Sequence, residues 1–333
     1  MTRAGEPAGR PSAGSQLTPH DSLFKKIFGK PEHAASQLRA VLPRRLTGRL
    51  DLGRLAQVPG TFVDEALRQR HTDCLFSAPL DGQDAYVYIL MEHQSKSDPL
   101  MPYRMLRYVT KIWDRYLEEN PRARKLPAVI PLVVYNGKGR WSAPLRLQDL
   151  IGPVPDADAE YLPRFSFLLD DLAVIGRDQL RDRDTTSTVR VTMVSLKDAP
   201  GNPLAHEVLW ELFEDLRVML CRPGGLEEFK ALLAYIRDVG EAPDSELGRV
   251  ADSLGPEAKD AYVTTAEMLE ARGEVRGEAR GQAKAILRNL KNCGIPVDDR
   301  SRDRIATCTD TETLDIWLDR SVKITEIAEL FQD

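Results

Sequence analysis

Residues 128–137, AVIPLVVYNG, run apolar for eight positions without alternation and stop at Asn-Gly. That pattern fits a strand buried on both faces and ended by a turn. Just before it, residues 99–119 (PLMPYRMLRYVTKIWDRYLEE) place Met105, Tyr108, Val109, Ile112, Trp113 and Tyr116 along one helical face. Two strand-like segments precede that helix: HTDCLFSAPL and DAYVYILMEHQS, separated by the turn-like DGQD. The order strand, strand, helix, strand calls for a hairpin followed by a crossover to a parallel strand. The expectation is an α/β fold: a mixed sheet flanked by helices, followed by an all-helical C-terminal region.

Upstream, in HDSLFKKIFGK, Leu23, Phe24, Ile27 and Phe28 recur at helical spacing, with Asp21 where a helix cap would stand. A second helical stretch, EHAASQLRAVL, ends at Pro43, and Arg44, Arg45, Arg49 and Arg54 follow as a basic side able to track a backbone. The first 19 residues, rich in Pro, Gly, Ala and Ser, read as a disordered arm. Past residue 200, HEVLWELFEDLRVML and EEFKALLAYIRDV read as helices. The expected division is 1–19 arm, 20–185 sheet-bearing domain, 200–265 helical region and 266–333 a C-terminal helix with a small cap.

The net charge of −5 hides an asymmetry. Residues 1–140 hold 22 Lys/Arg against 14 Asp/Glu, net +8, and the remainder 24 against 37, net −13. A basic half can attract a polyanion although the whole chain is acidic; ordinary solvated helix faces would give the same count. No run reaches the roughly 18 apolar residues of a membrane span, and the N-terminus lacks the apolar centre of a signal peptide, so the cytoplasm is the expected location. Cys74, Cys221, Cys293 and Cys308 form no CxxC pair and read as reduced structural residues.

In the hairpin, Asp73 lies on the first strand, and Glu92 and Gln94 lie two apart on the second, so period-2 alternation aims these two to one side. Antiparallel pairing can bring Asp73 opposite them. Two carboxylates at adjacent strand ends make a hard-oxygen site suited to Mg²⁺, with Mn²⁺ or Ca²⁺ as substitutes; two solvated strand-end residues would show the same spacing. His71 shares the face of Asp73, but His93 points away from Glu92, which disfavours zinc. No HExxH, GxxxxGK[ST] or GxSxG string occurs.

The stretches HDSLFKKIF, TDCLF, YILMEHQSKSDPLMPYRMLRY and PAVIPLVVYNG, in that order, resemble the blocks of the recombination-promoting nuclease (Rpn, YhgA-like transposase) family, a branch of the PD-(D/E)xK nucleases. The resemblance covers residues 20 to about 180. It implies a restriction-endonuclease-like core, a Mg²⁺-dependent DNA endonuclease acting on double-stranded DNA, and a link to recombination or mobile elements. It implies Asp73 and Glu92 as metal ligands and puts Gln94 where the superfamily carries lysine, a neutral amide for a cation. Lys96 or Lys25 is then a candidate for the missing charge. Asp21 and Lys25 match the opening block, and Asp21 also suits a helix cap. Arg104, in RMLRY, is a candidate phosphate ligand, and Asp171 in FSFLLDDL matches a late aspartate, though Asp170 leaves the register open. A catalytically weakened DNA- or protein-binding scaffold is the alternative.

From residue 270 the repeat EARG EVRG EARG QAKA sets Gly273, Gly277 and Gly281 on one stripe of a helix, with glutamate and arginine stripes beside it. A partner helix would turn these like-charge rows and glycines to advantage, so a homodimer through residues 270–285 is expected; a fraying, solvated linker helix is the alternative. The last 45 residues read as two or three short helices around Leu314, Trp317, Leu318, Ile324 and Leu330.

Overall fold

A computed structural model describes residues 18–58, 73–92, 97–152 and 160–332, with the backbone alone at 73, 88–92 and 272. The expected arm, apart from residues 18 and 19, lies outside them. The chain divides into two compact units, 1–261 and 262–333.

The first unit holds a five-stranded sheet in the order β1 (Ala56–Gln57), β2 (Asp73–Leu80), β3 (Gln83–Glu92), β4 (Ala128–Tyr135), β5 (Leu168–Asp171). The pairs β1/β2 and β2/β3 are antiparallel, and β3/β4 and β4/β5 parallel, so the sheet is mixed. The β2–β3 hairpin closes through Asp81-Gly82 alone, with φ of 50° and 76°. Positive φ at both central residues is the mirror-image turn whose twist matches the flanking strands, and Asp-Gly accepts it readily.

Helix α4 (Met101–Glu119) crosses from β3 to β4 and covers one sheet face. Met101, Met105, Tyr108 and Ile112 pack there on Leu75, Val133, Tyr135, Trp141 and Phe167. Residues of opposite parity, Phe76, Val87, Leu132 and Val134, are buried as well, so β4 has no solvent face. This explains its unbroken apolar run.

Helices α1 (Pro19–Phe28), α2 (Pro31–Val41) and α3 (Arg44–Thr47) open the unit; α5 (Arg177–Arg181), α6 (Ser187–Asp198), α7 (Ala205–Glu211), α8 (Phe213–Leu220), α9 (Gly225–Val239) and α10 (Asp244–Leu254) complete it. The stretch read as one helix over HEVLWELFEDLRVML breaks at Leu212 (φ −101°, ψ 17°), where Trp210 and Phe213 stack across the join. Segment 200–261 shares the sheet's unit, and α9 ties it to α1 and α2. The Tyr235 hydroxyl lies 2.9 Å from His20 Nδ1, and His33 Nε2 lies 2.8 Å from Glu228 Oε1, which also accepts from Lys30 Nζ. Thr188 Oγ1 donates to Glu228 Oε2 at 3.3 Å. Gly224 (φ 79°) and Gly225 set the start of α9; a Cβ on Gly225 would lie 1.9 Å from the Met219 carbonyl oxygen, so only glycine permits this junction.

Helix α11 (Pro256–Asn292) runs across the unit boundary. In the second unit its C-terminal part packs with α12 (Asp299–Thr307), α13 (Thr311–Arg320) and α14 (Ile327–Leu330) around Ile286, Leu290, Ile305, Leu314, Trp317 and Leu330. Leu318 and Ile324 are partly buried beside them. Among the described residues, no helix is long and apolar enough to cross a membrane.

Candidate functional site

The parallel strands β3, β4 and β5 end at one edge of the sheet, where antiparallel β2 begins. Register places Asp73 opposite Leu90, two residues before Glu92; Glu92 lies opposite Tyr135, and Tyr135 opposite Asp171. Because paired positions share a face and alternate positions repeat it, positions 73, 92, 135 and 171 have one parity. It is the parity of Val133 and Tyr135, which face α4. The two expected metal-ligand positions therefore meet at one edge and on one face. Gln94, Lys96, His71 and His93 lie outside the described residues. Among the described residues no group of three or more His, Cys, Asp or Glu is placed to hold a metal.

The flanking groups of this edge are largely committed to the scaffold. Arg104 Nη1 donates to Asp98 Oδ2 at 2.7 Å, while Asp98 Oδ1 accepts the Leu100 N–H at 2.9 Å, so the expected phosphate ligand is part of the α4 start. Asp98 escaped the sequence reading, although an acidic residue at the foot of a helix carrying arginine one turn in is a recognisable pair. Asp171 accepts the Trp141 N–H at 2.8 Å and the Ala173 N–H at 3.0 Å, which fixes the exits of β4 and β5. Its neighbour Asp170 has the opposite parity and is buried. There it takes both Arg183 Nη groups at 2.9 and 2.6 Å and the Gln37 amide at 2.8 Å.

Thr18, not Asp21, caps α1. Its hydroxyl accepts the Asp21 N–H at 3.2 Å, and the Asp21 carboxylate returns to the Thr18 N–H at 3.2 Å. This reciprocal box satisfies two of the helix's orphan donors and explains an acid at that position without catalysis. Lys25, one turn on, is exposed. No hydrogen bond or ion pair among the described residues joins Asp21 or Lys25 to the strand edge.

Arg49, from the basic stretch after α2, pairs with Asp81 at the hairpin turn, the opposite end of the sheet. The side chains hold each other charged: the hydrogen bond to Arg49 lowers the Asp81 carboxyl, and that to Asp81 raises the guanidinium. That part of the basic stretch does not border the carboxylate edge.

What borders it is a loop. After Tyr135, the Asn136 amide donates to the Leu196 carbonyl at 2.7 Å, and Lys138 and Arg140 are exposed. Trp141 then returns to the core, edge-on to Tyr135 and Phe167. Buried Ser97 Oγ accepts the N–H groups of Ser142 at 3.2 Å and Ala143 at 3.1 Å, joining the segment after β3 to that after β4.

Residues 18–219 match the family described as "Putative transposase, YhgA-like". Over 254 residues the chain is 32% identical to recombination-promoting nuclease RpnD of Escherichia coli O157:H7, covering 76% of this chain and 94% of that protein. It is 27% identical over 261 residues to recombination-promoting nuclease RpnA of Escherichia coli (strain K12), covering 77% and 85%. It is 25% identical over 260 residues to inactive recombination-promoting nuclease-like protein RpnE of the same strain, covering 77% and 83%. No solved structure matches the chain. Matched over residues 18–219 and 32% identical to a relative of which it covers 94%, the chain belongs to the YhgA-like, recombination-promoting nuclease family.

Proposed function

We propose that this chain is a Mg²⁺-dependent endonuclease of the PD-(D/E)xK type, cleaving double-stranded DNA in the cytoplasm in connection with recombination or mobile elements. The observation that carries the reading is the convergence of positions 73 and 92 at one edge and on one face of the sheet, in a chain whose relatives are named nucleases. Two hard carboxylate ligands fit a Mg²⁺ ion, with Mn²⁺ or Ca²⁺ as replacements. When bound, that ion supplies an activated water and neutralises charge developing on the phosphate. Asp73 and Glu92 would hold it. Gln94 would orient water or a phosphate oxygen through its amide, and Asp21, Lys25 and Lys96 would be supporting groups.

A second reading, a binding scaffold that has lost cleavage, is favoured by the neutral Gln94 and by the relative named inactive. Nicking of supercoiled plasmid with Mg²⁺ or Mn²⁺ separates the two. We expect the wild-type chain to nick and Asp73→Ala to fall by at least two orders of magnitude. Equal cleavage by both would reject this site, and no cleavage by either would favour the scaffold.

A homodimer through the 270–285 helix completes the reading. In that stretch Glu270, Glu274, Glu278, Arg276 and Arg280 are exposed, and a Cβ built on Gly273, Gly277 or Gly281 meets nothing within 4 Å.

A further inference from the structure

We infer that Lys138 and Arg140 form the phosphate-binding rim of the candidate site, a deeper statement that rests on the nuclease reading. Their loop leaves the sheet at the carboxylate edge itself, since Tyr135 lies opposite Glu92 and Lys138 follows three residues later. It is anchored at both ends. Asn136 is buried and bound to Leu196; Trp141 is bound through its N–H to Asp171, and its indole Nε1 donates to the Ala143 carbonyl at 2.7 Å. Ser97 stitches the far side to the segment that follows Glu92. Between these anchors lies Gly137-Lys138-Gly139-Arg140, whose last three residues are exposed.

The two cations are also uncommitted. Among the described residues neither makes a hydrogen bond or an ion pair. Arg104, Arg183, Arg177 and Arg49, by contrast, are each matched, with Asp98, Asp170, Asp198 and Asp81. An exposed lysine and arginine on an anchored loop, beside the acidic positions 73, 92 and 171, suit a phosphodiester backbone. Lysine offers a point charge and arginine a two-pronged donor. A Mg²⁺ ion would only cancel the two carboxylates, so positive charge on the adjoining loop is what would attract the polyanion.

Arg124 and Lys125 give an internal control. They are also exposed, but precede β4 at the opposite end of the sheet, about 23 Å away by strand rise. The test is binding of a 24-base-pair duplex to the full chain in EDTA, where no cleavage intervenes, between 50 and 200 mM salt. Each phosphate contact adds about 0.9 to the slope of log affinity against log salt. We expect Lys138→Ala/Arg140→Ala to lower the slope by about 1.8 and weaken binding alike for unrelated duplexes. We expect Arg124→Ala/Lys125→Ala to leave the slope unchanged, with melting temperatures equal throughout. A wild type that binds with a slope the first pair does not change, or that both pairs change equally, overturns the assignment of the loop while leaving the nuclease reading standing. A wild type that binds no duplex also overturns the assignment of the loop, and plasmid nicking with Mg²⁺ or Mn²⁺ decides the nuclease reading separately.

Discussion

At the scale of single residues, the most strained balance is at Glu228. Burial pushes its carboxyl up, but the hydrogen bonds from His33 and Lys30 more than offset this and hold it at about 2. A depressed folded-state value adds stability that is complete above the unfolded value near 4.5 and is lost as pH falls through the window down to about 2. Glu228→Gln should therefore cost on the order of 3 kcal/mol at neutral pH and flatten the acid limb of stability between about pH 4.5 and 2. Urea unfolding at pH 7 and pH 3 measures it; a variant as acid-sensitive as the wild type would remove Glu228 as the cause. The same scale separates Asp170 from Asp171. Adjacent in sequence and indistinguishable by pattern, they have opposite parity: one is buried between Arg183 and Gln37, the other fastens the exit loops. Only the register of a four-residue strand, too short for any periodicity to declare itself, tells them apart.

At the scale of elements, legibility followed how many faces each segment exposes. The hairpin, α4 and β4 were readable because alternation, an amphipathic stripe and an unbroken apolar run each have one structural meaning. Helix α6 was not readable. Thr188, Val189, Val191, Thr192, Met193, Val194, Ser195 and Leu196 are all buried, so no polar face marks its period, and its β-branched residues imitate a strand. At the candidate site, the acidic positions and their shared parity were legible from spacing plus pairing. The commitment of Arg104 to Asp98 and of Asp21 to Thr18 was not, because each depends on which local hydrogen bond wins. In α11 the glycine stripe allows a sharp test. Gly273→Ala/Gly277→Ala should strengthen the helix by about 1 kcal/mol per site, since a Cβ at either position meets nothing within 4 Å among the described residues. If the repeat is the dimer contact, the same change lowers the mass in solution toward that of one chain. A gain in helicity with an unaltered mass would place any dimer contact elsewhere.

At the scale of the whole molecule, the two halves divide the charge. The basic first 140 residues contain the carboxylate edge and its loop, and the acidic remainder supplies most of the helices. These are not separable at the end of the family match. The family match ends at residue 219, yet His20, Lys30 and His33 near its start are all bonded to side chains of α9, which begins at Gly225. A shortened chain stopped at 219 would leave an imidazole, an ammonium and a second imidazole facing the space that Tyr235 and Glu228 had filled, along with the bared apolar side of α1. Such a fragment should stay insoluble or molten, whereas one stopped at Gly255 should unfold cooperatively; near-ultraviolet circular dichroism would distinguish them. For anyone dissecting this protein, α9 is a strut, and the first unit must be cut outside it.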